Sequence, residues 1–78
     1  MSRKNIEDSI RDSLEQYFRD LRGTEPQGLH DLVMASVERP MLEVVMQRAY
    51  GNQSKAAERL GINRNTLRRK LLQHKLTD

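Results

Sequence analysis

Seventy-eight residues with a net charge of +3, no cysteine and no tryptophan bound what this chain can be. The length fits one small domain, and the composition excludes both a disulfide framework and a Cys/His set of structural zinc ligands. The longest apolar runs are three or four residues, far short of a membrane span, and MSRKNIEDSI has no apolar signal core, so the expectation is a soluble, cytoplasmic protein without metal or cofactor.

With 36% hydrophobic residues, the core available to one copy is thin. A chain of this size buries only about 60% of its unfolded surface, and oligomerisation is the usual remedy where disulfides and metals are absent. A dimer is therefore expected on size alone.

Four helices and no strand are expected, an all-α fold. The first spans about 6–21, with Ile6, Ile10, Leu14, Tyr17, Phe18 and Leu21 at helical spacing and Glu7 and Asp8 in its first turn. Gly23 and the turn-rich TEPQG follow.

The second spans about 28–50, and Leu29, Leu32, Val33, Val37, Met41, Val44, Val45 and Ala49 trace one face. Pro40 lies inside this rhythm, which continues unchanged past it, so a kink is expected rather than a stop. After the proline, MLEVVM is apolar on almost every side, and a helix apolar all round is buried all round. A second copy of the chain supplies the missing cover more simply than an ordinary monomer core with exposed methionines.

Gly51 suits the left-handed C′ position and Asn52 can cap a short third helix over about 53–60, with Ala56, Ala57 and Leu60 on one side. Gly61 permits a tight turn, Ile62 plugs inward, and Asn63 caps a last helix from Arg64 to about Gln73. Residues 51–78 carry seven basic side chains against Glu58 and Asp78, net +5, while residues 1–50 carry seven against nine acids, net −2. That asymmetry points the last third of the chain at a polyanion.

The spacing of Ala57, Gly61, Ile62, Leu67 and Leu71 is that of a helix-turn-helix. It leaves Asn63, Arg64, Asn65, Arg68 and Arg69 at the start or outer face of the second helix, where base edges of a major groove are met. Arginine can bind guanine and asparagine adenine through paired hydrogen bonds. Ser54, Thr66, Lys70 and the amides at both helix starts are placed for phosphates. Like charges at helical spacing repel, so folding alone gives no reason for this cluster, whereas counterion release on binding DNA does. Leu72 falls on the same outer side and does not fit.

The stretches LRGTEPQGLHDLV, VERPMLEVVM and GNQSKAAERLGINRNTLRRKL together resemble the Fis family, the bacterial factors for inversion stimulation, over nearly the whole chain. The last stretch is also similar to the C-terminal domain of NtrC-type activators. The Fis resemblance implies an intertwined homodimer through the first two helices, with a helix-turn-helix at each end. Residues 1–50 then form the dimerisation core and residues 51–78 the DNA-binding region. Leu14, Phe18, Val37, Met41, Leu42, Val45 and Met46 are assigned to the contact between copies.

The resemblance further implies a nucleoid-associated transcription regulator that bends DNA at degenerate, AT-centred sites, with indirect readout of a compressed minor groove. Position by position, Asn63, Arg64 and Arg69 match base-contacting residues. Asn52, Gln53, Ser54, Thr66, Arg68 and Lys70 match backbone-contacting ones. RNA polymerase is a further implied partner, through the turn from Tyr50 to Gln53. Enteric Fis proteins carry a β-hairpin arm where this chain has only MSRKN before its first helix, and basic residues where it has Leu72, Gln73 and Tyr50. Weaker flanking contacts are expected there.

The alternatives fit less well. An NtrC-type fragment would be preceded by an ATPase domain, whereas a chain opening with Met and a polar tail reads as complete. A helical adaptor gives no reason for Asn63 and Arg64 at a helix start. Catalysis would rest on His30 and His74, neither with a nucleophile or second ligand at useful spacing. A membrane-surface helix over 64–75 lacks Trp and Phe, and its apolar face is needed inside.

Overall fold

The computed structural model of the chain describes residues 2–78, and these form four helices and no strand: α1 (Arg3–Leu21), α2 (Leu29–Arg48), α3 (Gln53–Leu60) and α4 (Arg64–Gln73). The first helix starts three residues earlier than the apolar rhythm indicates, because the Ser2 hydroxyl accepts the Asn5 N–H (3.3 Å) and caps it. Its first turn therefore holds Arg3, Lys4 and Asn5, and the dipole support expected from Glu7 and Asp8 is absent there.

Helix α2 runs unbroken through Pro40. It closes in a Schellman arrangement, with the Tyr50 N–H donating to the Gln47 carbonyl (3.1 Å) and the Gly51 N–H to that of Met46 (3.0 Å). The C′ position expected for Gly51 is thus occupied by Tyr50, which takes a left-handed φ of 54°, with Gly51 at 79° behind it. The same pattern ends α3, where the Ile62 N–H reaches the Ala57 carbonyl (3.1 Å) and Gly61 adopts φ 72°. It recurs at α4, where the Leu76 N–H reaches the Leu71 carbonyl (2.8 Å). In each case the two-residue reversal carries an apolar residue or a helix start back onto the body of the fold.

One buried cluster joins three of the helices: Leu42 and Ala49 from α2, Ala56 and Ala57 from α3, and Leu67 and Leu71 from α4. Val45, Met46, Leu60, Ile62 and Leu76 pack against it half-buried. Two alanines at the centre let α3 approach both neighbours closely, as a helix-turn-helix needs. The second half of α2 therefore shares a core with the helix-turn-helix, across residue 50.

Leu42, assigned to the contact between copies, is 0% exposed within the chain itself and sits in this core. Val45 and Met46 turn the same way. The other side of α2 is different. Val37, Met41 and Val44, with Leu29, Leu32 and Val33, face Ile6, Ile10, Leu14 and Tyr17 of α1 across an open apolar groove of about 740 Å³. No residue of α1 is buried, and Phe18 is exposed, meeting Tyr17 edge-on with ring centroids 6.1 Å apart. Apart from Glu43, MLEVVM is apolar because Leu42, Val45 and Met46 serve the core while Met41 and Val44 line the groove.

Leu71 and Leu72 test this geometry. Leu71→Ala should lower unfolding stability by about 2–5 kcal/mol, the range for deleting a fully buried leucine, while Leu72→Ala should stay within about 0.5 kcal/mol, as for a surface position. Urea denaturation at one fixed protein concentration measures both, and equal costs would place α4 the wrong way round.

Candidate nucleic-acid interface

Helix α4 has two sides because Leu67 and Leu71 must leave water. With those two in the core, Thr66, Lys70 and His74 become half-buried flanks, and Arg64, Asn65, Arg68, Arg69, Leu72 and Gln73 face solvent. No acidic residue lies in α4. Among the described residues, none of Arg64, Arg68 and Arg69 has a carboxylate partner, nor has Lys55 on α3. Their charge is uncompensated and directed outward.

The start of α4 is fixed by its own cap. Asn63 is extended (φ −66°, ψ 141°), and its side-chain oxygen accepts the Asn65 N–H at 2.7 Å. Asn52 does the same for α3, accepting from Lys55 N–H at 3.1 Å. Both asparagines are exposed, and capping occupies the amide oxygen while leaving the NH₂ group free to donate. The Arg64 Nη1 lies 3.4 Å from the Ser54 hydroxyl, which brings the first turns of α3 and α4 together. Asn52, Gln53, Ser54, Asn63 and Arg64 thus form one continuous edge. Arg68 and Arg69 follow along the exposed side of α4, and Thr66 is half-buried beside it.

Lys70 is placed apart from this set. Its Nζ lies 2.8 Å from Glu38 Oε2 on α2, and the other oxygen, Oε1, lies 2.8 Å from His74 Nε2. The Arg39 guanidinium donates to the His74 carbonyl, and Arg59 donates to the Arg48 carbonyl (3.1 Å) at the end of α2. Two of the chain's cations are therefore committed to holding helix ends, and the Lys70 ammonium, 33% exposed, is paired with Glu38. Glu38 is 32 positions from Lys70, and nothing in local spacing points to it. Lys55 is the exposed cation that the motif reading left unassigned; its place on the third residue of α3 was the available signal.

The electrostatics of Glu38 follow from these contacts. The Lys70 ammonium first, and the His74 ring second, hydrogen-bond its carboxylate and hold it below the ordinary glutamate value of 4.5, against the opposing effect of burial. His30 and Asp31 are exposed at the start of α2 (3.6 Å apart), and no group of three metal-ligating side chains occurs among the described residues. No helix of the described residues is long and apolar enough to cross a membrane.

Residues 33–74 match the model of the family described as bacterial regulatory protein, Fis family. The chain is 59% identical over 76 residues to a protein of Ralstonia nicotianae described as Fis-like and DNA-binding, covering 97% of this chain and 99% of the relative. It is 58% identical over 72 residues to a protein of Neisseria meningitidis described in the same words, covering 92% and 91%. It is 46% identical over 71 residues to the DNA-binding protein Fis of Proteus vulgaris, covering 91% of this chain and 76% of the relative.

A group whose folded value is depressed adds stability above its unfolded value and loses it as pH falls through the folded one. The contribution of Glu38 should accordingly be present above pH 4.5 and fade below it. Urea midpoints measured from neutral to acid pH should show the wild type and Glu38→Gln converging in acid. A gap that widens in acid would contradict the arrangement.

Proposed function

The chain belongs to the Fis family of bacterial regulatory proteins, and from that premise we propose that it binds double-stranded DNA as a homodimer and bends it, acting as a transcription regulator of the nucleoid. The observation that carries this reading is the division of α4. Leu67 and Leu71 tie one side to the core, while Arg64, Arg68 and Arg69 stand unpaired on the other beside a capped start. Two such helices in adjacent major grooves read base edges through Asn63, Arg64 and Arg69. Asn52, Gln53, Ser54, Thr66 and Arg68 position the backbone.

The apolar groove between α1 and α2 supports the homodimer, since Leu14, Val37 and Met41 face one another there without cover. In the intertwined arrangement a second copy fills it. The preference for degenerate, AT-centred sites then arises largely from the energy of deforming DNA the protein does not touch. The turn at Tyr50, whose side chain is 97% exposed, is the surface offered to RNA polymerase. Fis-family proteins are non-enzymatic regulators, and His30 and His74 have no chemical role in this reading. The cytoplasm, at the nucleoid, is the location that goes with it. An interaction-only adaptor leaves the unpaired arginines without a purpose.

A gel-shift titration on an AT-centred duplex of about 27 base pairs, more than two helical turns, checks the reading. Wild-type protein should bind as one dimer per site, with affinity falling steeply as salt rises. Arg64→Ala should weaken binding by roughly 1–3 kcal/mol per half-site and blur preference at one base pair. Moving the site along a longer fragment should change its migration, reporting the bend. Salt-independent binding, or full affinity in Arg64→Ala, would sink the assignment of α4 as the reading helix.

A further inference from the structure

Two kinds of contact hold α4 against α2, and they differ in what they can specify. The apolar contact of Leu42 with Leu67 and Leu71 is non-directional, so it keeps α4 in place without defining its angle. Hydrogen bonds are directional. Those available are concentrated at one place: Glu38 Oε2 to Lys70 Nζ, Glu38 Oε1 to His74 Nε2, both 2.8 Å, and Arg39 to the His74 carbonyl. The His74 side chain is only 10% exposed, and Glu38 is the partner of its buried ring nitrogen.

Glu38 is the single group that contacts both Lys70 in the last turn of α4 and His74 at its C-terminal cap. It lies between Val37 and Met41, which line the apolar groove, on the stretch of α2 around Pro40. The groove-bearing part of α2 and the far end of α4 are thereby joined through one carboxylate. A ten-residue helix is about 15 Å long, so a swing of about 10° moves its end by about 2–3 Å. That is close to the rise of one base pair, about 3.4 Å along DNA.

We propose that Glu38 is a positioning residue that sets the tilt of α4, and with it the distance between the two DNA-reading helices of the dimer. The proposal rests on the homodimeric DNA-binding reading above. In the dimer the groove on α2 lies toward the partner subunit, and Glu38 transmits that fixed reference to α4. Removing the carboxylate leaves Lys70 and His74 unpartnered and deletes the directional part of the contact between α2 and α4, leaving α4 on its packing against α3 and the apolar contact with α2. DNA binding then persists, because Arg64, Arg68 and Arg69 are untouched, but the requirement for one spacing relaxes. Glutamine keeps an acceptor for Lys70 and an NH₂ group for the imidazole, so the bonds and the spacing rule are retained.

The test uses the full-length protein and three AT-centred duplexes, one with the centre unchanged and the others with it shortened or lengthened by one base pair. Wild type should favour one duplex by about tenfold or more, and Glu38→Ala should reduce that ratio to about twofold, a change of about fivefold on the scale of one ordinary hydrogen bond. Glu38→Gln should keep the wild-type ratio. His74→Phe, which keeps the buried ring and deletes one bond, should flatten the ratio in the same direction. Helix content by circular dichroism identifies which variants are folded. A folded Glu38→Ala with the wild-type ratio overturns the proposal, and so does an unaltered His74→Phe where Glu38→Ala does not fold. Wild-type binding that is indifferent to spacing also overturns it, leaving DNA binding intact. No wild-type binding to any duplex removes the DNA reading itself and the proposal with it.

Discussion

The burial of Leu67 and Leu71 against Leu42 and the alanines of α3 is the contact on which the rest of the molecule depends. In a helix, residues three and four apart share a face, so sending 67 and 71 inward sends 65, 69 and 72 outward, with 68 alongside, while Arg64 is exposed because it opens the helix. Arg68 and Arg69 are then exposed by the same act that removes the leucines from water. The mutual repulsion of these cations costs a few tenths of a kcal/mol per pair. Burying each leucine contributes about 1.5–3 kcal/mol. The second effect wins, and a surface with no internal reason to be basic is held open.

Capping makes this arrangement definite at its ends. Asn63 spends its amide oxygen on α4 and Asn52 spends its own on α3, so each helix starts at a fixed residue. Schellman reversals close α2, α3 and α4. Gly61 adopts its left-handed conformation without cost, whereas Tyr50 and Lys75 do so with a side chain and therefore store some strain. At Tyr50 the result is an aromatic ring wholly in water, which the packing of the subunit does nothing to explain.

Much of this was legible in the sequence, and the parts that were not share a cause. Helices α3 and α4 were readable to the residue because Asn52, Gly61 and Asn63 are local signals with a local mechanism. The start of α1 at Arg3 was missed because apolar rhythm is silent over a polar first turn, although Ser2 was a usable cap. Gly51 was read as C′ because glycine is the usual occupant, and the structure spends that position on Tyr50. The orientation of Leu42 is ambiguous in the sequence because Glu43 is the one polar residue in MLEVVM, too little for periodicity to mark a polar side. The pairing of Lys70 with Glu38 is invisible to spacing, because the carboxylate lies 32 residues away. Local chemistry was visible, and long-range pairing was not.

The thinness of the core gives these long-range pairs their weight. Six residues form the buried cluster, and half of them are alanines, so the apolar contact between α2 and α4 is small. In a larger domain many interdigitating side chains would define the angle of a surface helix. Here three leucines and a few half-buried neighbours carry that contact, and the carboxylate between Lys70 and His74 adds directional bonds to it. The same thinness leaves α1 without a buried residue and the groove beside it uncovered. A subunit of this design is incomplete in two ways, and both concern α2. One side of that helix lacks an apolar neighbour, and the other holds α4 through polar atoms. Whatever covers the first side fixes the frame in which the second presents its arginines.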